Sequence, residues 1–384
     1  MHGNLTQREV AALGETLNLA DGHAFRAWTD QENALVDRLP SLFRQDDRLR
    51  LNDITETYFE TFFGLSGQTL DRQAGARFPC FTASSGIELI ANHLRLAGKS
   101  VTLIEPCFDN LKDILRRHQV PLTPLPDDVL QGDAQALEER LDSIDTDVLF
   151  LVSPNNPTGT TVSEATLIQI LNFCSRRGVM LILDTCFRFY QPDADVYDQY
   201  KLLIDADIDW IVIEDTGKTW PTLEIKAPFL SVSRRLAADI DHINSDFLLH
   251  VSPFALRLLT GFLELSGADD RDAVRGLVRH NRGLLREALA STFLTPVEQP
   301  FMSVSWLRID PELRGELTGQ DVTQDLAQQG IHVLPGNDFF WSDERLGDPY
   351  VRVALVRDTS TFTQAADVIR HVCARDQRIR QRSA

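Results

Sequence analysis

From about residue 78 the apolar positions of this chain fall into short, nearly continuous runs separated by stretches with a 3.6-residue repeat. The runs at 78–82, 101–105, 148–152, 179–184, 210–214 and 229–232 are rich in β-branched and aromatic residues and predict buried strands. Between them, 87–96, 110–118, 135–141 and 164–177 carry helical spacing. Alternation of this kind predicts an α/β fold, a mostly parallel sheet with helices on both faces. Two long helices are expected over 247–265 and 271–292. From about 294 an apolar run at 302–309, a helix near 321–329, a strand at 350–356 and a closing helix at 362–373 make a smaller α+β unit. The first forty residues read as helical. Thr6-Gln7-Arg8-Glu9 has the form of a capping box, and Val10, Leu13 and Leu17 follow at helical spacing. The stretch 18–23, with Asp21-Gly22, reads as an exit turn, and a second helix is expected over 25–43, with Pro40 marking its end.

Composition narrows the classes. A chain of 384 residues exceeds one comfortable core, and the pattern divides it into an N-terminal segment (1–45), a large domain (46–293) and a small C-terminal domain (294–384). A net charge of −18 repels nucleic-acid phosphates; it suits a cationic small molecule, though solubility explains it equally well. The arginine-rich tail, 375–384, reads as a solvated helix end. Five scattered cysteines without C-x-x-C spacing give no disulfide framework and no zinc ribbon, as in a reducing compartment. No basic, apolar leader opens the sequence and no apolar run approaches a membrane span, so a cytoplasmic protein is expected. There is no G-x-G-x-x-G, Walker loop, H-E-x-x-H or G-x-S-x-G, and the histidines do not cluster at ligand spacing; no metal or dinucleotide is expected.

The candidate chemistry sits where strands end. Lys218 follows the apolar strand at 210–214, and ligands of α/β sheets gather past such carboxyl ends. Ser153-Pro154-Asn155-Asn156-Pro157-Thr158-Gly159 follows the strand at 148–152: a good turn, but also a rigid mount for an amide side chain. Asp184 ends its strand either as a helix cap or as the counter-ion of a buried cation. Lys226 lies eight residues past Lys218, and Arg352 lies within the strand at 350–356. Ser84, Ser85 and Gly86 open a helix, a plain N-cap or an anion site.

In that order these elements resemble the fold-type-I pyridoxal-phosphate enzymes, the aminotransferase superfamily, over essentially the whole chain. The resemblance implies that Lys218 carries pyridoxal 5'-phosphate covalently and that Asp184 keeps its ring nitrogen protonated. It further implies that Asn156 bonds the ring oxygen, Phe108 stacks on the ring, and Ser84, Ser85 and Gly86 offer amides to the phosphate. Tyr58 would serve a neighbouring subunit's phosphate, because the family builds its sites at a homodimer interface.

Three departures from the family pattern are informative. Phe187 replaces the tyrosine usual three residues after the strand aspartate. Lys226 replaces a phosphate-binding arginine, exchanging a bidentate fork for a point charge. Asp215 stands where a serine often faces the phosphate; a carboxylate there is repelled and is expected to turn to something cationic. With 4–9, 18–23, 184–188 and 214–223, these departures are similar to the O2-dependent L-arginine oxidases/hydroxylases of guanidino-amino-acid antibiotic pathways, enduracididine's among them. Cys186 differs from that group's phosphate-contacting serine, implying a looser phosphate grip. The likeness implies an N-terminal helical lid. Glu9, Asp21 and Asp215 would grip the guanidinium of L-arginine, and Arg352 its α-carboxylate. Thr6 and His23 would lie over the cofactor, with His23 as candidate proton carrier. Products would be 4-hydroxy-2-ketoarginine and/or 2-ketoarginine, ammonia and peroxide, with neither metal nor flavin. A plain aminotransferase acting on a basic amino acid is the alternative.

Overall fold

The computed structural model describes residues 3–45, 50–222, 225–266, 268–297, 302–313 and 315–375. Leu223, one of the residues behind the likeness, and most of the arginine-rich tail lie outside them.

Thirteen strands are present among these residues. A two-residue strand, β1 (Leu17–Asn18), comes first. Then follow β2 (Gly75–Pro79), β3 (Val101–Glu105), β4 (Leu122–Pro126), β5 (Val148–Val152), β6 (Met180–Asp184), β7 (Trp210–Glu214) and β8 (Phe229–Ser233). These seven form one sheet in the spatial order β2-β8-β7-β6-β5-β3-β4, in which only β8 runs against the rest. Every residue of β3 and β5 to β8 is buried, as a sheet covered on both faces requires. β4, missing from the pattern-based expectation, is the sheet's edge and contains Pro124 and Pro126, which an interior strand would not tolerate.

The later strands β9 (Leu294–Val297), β10 (Val304–Ile309), β11 (Ile331–His332), β12 (Leu334–Pro335) and β13 (Tyr350–Ala354) make the smaller unit. β12-β13-β10-β9 is an antiparallel sheet, and β11 pairs in parallel with β1. Arg352 lies opposite Trp306 and Leu334 in that sheet and is fully buried.

The N-terminal expectations need correction. The first helix spans only Leu5–Ala12, and its capping box joins Asn4 to Gln7 instead of Thr6 to Glu9. Leu17 belongs to β1, because pairing with β11 wins over helix continuation. A non-helical strap, 18–29, takes up the start of the helix expected at 25–43, and the rest of that helix is two short ones, Asp30–Val36 capped by Thr29 and Leu39–Phe43. Pro40 opens the second of these, since proline lacks the N–H that a first turn does not use. The long helix expected at 247–265 starts only at Pro253 and runs to Leu265, and a separate helix, Ala237–Phe247, precedes it. A helix at Leu51–Ser66, not foreseen, packs Tyr58, Phe59, Phe62 and Phe63 into the core.

Candidate active site

Sheet register aligns the site. Val152 lies opposite Asp184, and Asp184 opposite Ile213, so the loops after β5, β6 and β7 leave one edge side by side. Asp127 shapes the first loop by accepting hydrogen bonds from Asn155, Thr158 and Thr160. Asn155 also donates to the Pro106 carbonyl at 2.8 Å, and Gly159 leaves the loop at φ 78°, a conformation glycine adopts freely. Asn156 is thereby presented at the sheet edge. After β6, Asp184 accepts from the Cys186 amide at 3.0 Å. That donor is neutral, so burial is left to push the Asp184 carboxyl up. After β7, Asp215 accepts from the Gly217 amide at 2.8 Å, and Tyr190 donates to the Lys218 carbonyl at 2.7 Å, fixing the turn that carries the lysine. Burial works to discharge Lys218, but Glu9, Asp215 and Asp21 outweigh it and hold its pKa above the ordinary value.

These residues line one cavity of about 290 Å3. Asn156, Asp184, Asp215, Lys218 and Lys226 form its floor, and Ser84 and Phe108 border it. The N-terminal segment covers it with Thr6, Glu9, Asp21 and His23, and Arg352 reaches in from β13. Glu9 and Arg352 form an ion pair at 2.9 Å, although Arg352 is 0% and Glu9 only 13% exposed. Arg352 also donates to Asn156 at 3.2 Å and to the Ala20 carbonyl. His23 Nδ1 lies 2.6 Å from Asp21, and its Nε2 lies 3.1 Å from Lys226 Nζ. An ammonium can only donate, so this contact places the His23 proton on Nδ1, toward Asp21. Burial raises the Asp21 carboxyl, but the hydrogen bonds from the His23 ring and backbone, with the charge of Lys218, hold it well below the usual carboxylate range.

The N-terminal helix is docked at three points besides Glu9. Leu5 N–H donates to Asp109, Arg8 pairs with Asp338 at 3.0 Å, and Leu5 and Ala12 pack against Trp306, Leu334 and Phe339.

Three expected cofactor residues are not placed as foreseen. Ser85 N–H goes to the Thr82 hydroxyl and Gly86 N–H to the Thr82 carbonyl, in the capping box of the helix Ala83–Leu96. The first-turn amides at Ala83 and Ser84, both lining the cavity, are the ones a phosphate can reach. Tyr58 is fully buried, and its hydroxyl donates to the Ala227 carbonyl at 2.6 Å, inside its own chain. Conversely, Asn110 donates to Ser84 Oγ at 2.9 Å and lines the cavity; as one polar residue in a helical stretch it carries no signal in the sequence.

Residues 61–369 match the model of the aminotransferase class I and II family. The chain belongs to that family. It is a pyridoxal-phosphate-dependent enzyme of fold type I. A solved structure of MppP, soaked with the product 2-ketoarginine, superposes with a TM-score of 0.84 at 32% identity, covering 93% of this chain and 99% of that one. Histidinol-phosphate aminotransferase 2 of Oceanobacillus iheyensis is 28% identical over 280 residues, 71% of this chain and 70% of the relative. The aromatic aminotransferase ISS1 of Arabidopsis thaliana is 28% identical over 201 residues; there the match spans half the length of each protein.

The residues fit the cofactor. Asp184 is a buried carboxylate whose raised pKa a protonated ring nitrogen would reverse. Phe108 offers a ring face, the Ala83 turn offers amides, and Lys218 stands at the end of the adjoining strand. Among the described residues no group of three or more His, Cys, Asp or Glu side chains is placed to hold a metal ion, and no helix is long and apolar enough to cross a membrane.

Proposed function

We propose that this family member oxidises L-arginine with dioxygen, releasing 2-ketoarginine and/or 4-hydroxy-2-ketoarginine, ammonia and hydrogen peroxide. One observation carries the reading: the Glu9–Arg352 pair. Four carboxylates (Glu9, Asp21, Asp184 and Asp215) and three standing cations (Lys218, Lys226 and Arg352) line the cavity. An α-carboxylate that takes Arg352 from Glu9 leaves the part-buried Glu9 carboxylate without that partner. Only a substrate bringing its own cation restores the pairing, and a guanidinium does so with the planar fork a carboxylate fits best. The likeness to MppP, with its product 2-ketoarginine, supports the same substrate.

Bound pyridoxal phosphate supplies an electron sink for the carbon acidified next to the amine. The chain's own groups do the rest. Asp184 would hold the ring nitrogen, Asn156 the ring oxygen, and Phe108 the ring face. Lys226 and the amides of Ala83 and Ser84 would take the phosphate. Arg352 orients the α-carboxylate, and Glu9, Asp21 and Asp215 are the carboxylates within reach of the guanidinium. Lys218 moves the α-proton, and His23, held by Asp21, carries a second proton at Nε2 once Lys226 turns to the phosphate. Thr6 and the helix above it exclude water. In the two-electron reaction arginine, dioxygen and water give 2-ketoarginine, ammonia and peroxide. A homodimer, a cytoplasmic setting, a place in antibiotic biosynthesis and the division at 45/46 and 293/294 belong to the same proposal.

The second reading, an aminotransferase for a basic amino acid, is favoured by the named activities of the sequence relatives. Oxygen uptake by the purified holoenzyme with L-arginine and no keto acid separates the two. Sustained uptake with peroxide supports the oxidase, and mass spectrometry then tells hydroxylated from simple keto acid. No uptake, with amino transfer once a keto acid is added, would overturn it.

A further inference from the structure

Arg357 is three residues past β13, has no role among those assigned above, and is 4% exposed. Its guanidinium donates to four main-chain carbonyls: Nε to Asn18 at 2.6 Å, Nη2 to Asp21 at 2.6 Å, and Nη1 to His23 at 3.1 Å and Val356 at 2.8 Å. One face lies 4.9 Å from the Phe25 ring centroid. A buried guanidinium bonded to carbonyls instead of a carboxylate is an expensive arrangement, and burial, only partly offset by Asp21, lowers its pKa to about 10.

Three of those carbonyls belong to the strap that brings Asp21 and His23 to the cavity. The strap's other main-chain ties include Leu19 N–H to His332, Ala354 N–H to Leu19, Phe25 N–H to Val356, and the Ala20 carbonyl that accepts from Arg352. Arg357 is itself held, because Asn281 donates to the Leu355 and Arg357 carbonyls, both at 2.8 Å. A chain of contacts thus runs from the helix containing Asn281, through Arg357, to the backbone of the two pocket residues.

We infer that Arg357 is a positioning residue that sets the main chain at Asn18, Asp21 and His23, so that the Asp21–His23 pair faces Lys218. Its effect on turnover rests on the proposed oxidation; its effect on the strap does not. The test uses holoenzyme of the wild type, Arg357→Met, His23→Ala and the double variant, with Arg357→Lys as the conservative partner. In Arg357→Met, hydrogen exchange of peptides covering 17–25 should rise at least about tenfold, while peptides covering 210–220 keep their protection. Arginine oxidation should fall at least about tenfold, yet by no more than about threefold further in the His23→Ala background, since both changes disable one unit. Arg357→Lys, with three donors, should recover part of both losses; if Arg357→Met does not fold, the Lys variant is judged on the same strap exchange against wild type. Unchanged exchange at 17–25, or losses that multiply in the double variant, would overturn the inference. Wild-type enzyme that takes up no oxygen with L-arginine would defeat the proposed function and leave the exchange result to decide the role of Arg357.

Discussion

The floor and the cover of the cavity are built on opposite terms. Asp184 ends one strand of a sheet buried on both faces, and Asn156 and Lys218 stand in the loops just past its two neighbours, aligned by register and fixed by the hydrogen bonds of Asp127 and Tyr190. Thr6, Glu9, Asp21 and His23 stand on an eight-residue helix, held by single polar contacts and a small apolar patch, and on a strap held through the guanidinium of Arg357. A floor of that kind keeps its geometry whatever is bound. A cover of that kind has contacts that a ligand can replace, and one of them already mimics a ligand.

The contrast breaks first at Lys218. Lys218→Ala should lower arginine oxidation by about 10^3-fold or more with the fold intact, as oxygen uptake and circular dichroism would show; retained peroxide production would remove this lysine from the chemistry. Asp184→Asn should cost about 10^2-fold in kcat with KM little changed, because the floor acts on the reacting system and hardly on ground-state binding. Glu9→Gln should instead act mainly through KM for L-arginine, raising it about 10- to 100-fold, while neutral amino acids gain as competitors. Equal losses for arginine and a neutral amino acid would argue against the exchange of partners at Arg352.

The smallest effect is expected at the foot of the cover. Burial, assisted by Asp113 and Asp338 and opposed by the Leu5 amide and Lys112, raises Asp109 to about 7 from a model-peptide 3.8. The docked state therefore binds the extra proton. Its contribution to docking is full below about pH 4, declines as pH rises, and is gone above about pH 7. Asp109→Asn keeps an acceptor for Leu5 without the charge, so it should flatten the pH dependence of hydrogen exchange at 5–12 and tighten docking at pH 8. An unaltered profile would place the titration elsewhere.

What could be read from the sequence follows the same division. The buried strands announce themselves by unbroken apolar runs, and Lys218, Asp184 and Asn156 are placed by being the polar residues at their ends. β4 carries prolines, and β1 and β11 have two residues each, too few to leave a period. Capping also misled: Thr6 and Glu9 have the right spacing, but Asn4 and Gln7 do the capping, and only the fold shows that Glu9 is thereby free to face Arg352. Arg357 could not be inferred, since its partners are carbonyls, to which residue type is invisible. Tyr58 shows the converse error, a side chain with the right chemistry turned into the core by its helix.

The Glu9–Arg352 contact also bears on how product leaves. Glu9 is a carboxylate tethered to its receptor, with an effective concentration on the order of millimolar for a short flexible connection. Free carboxylates below that level, without a cation to offer, would rarely displace it. After turnover the same tether stands ready to reclaim Arg352, so a keto acid can depart by exchange, and the buried guanidinium of Arg352 is never left facing an empty cavity.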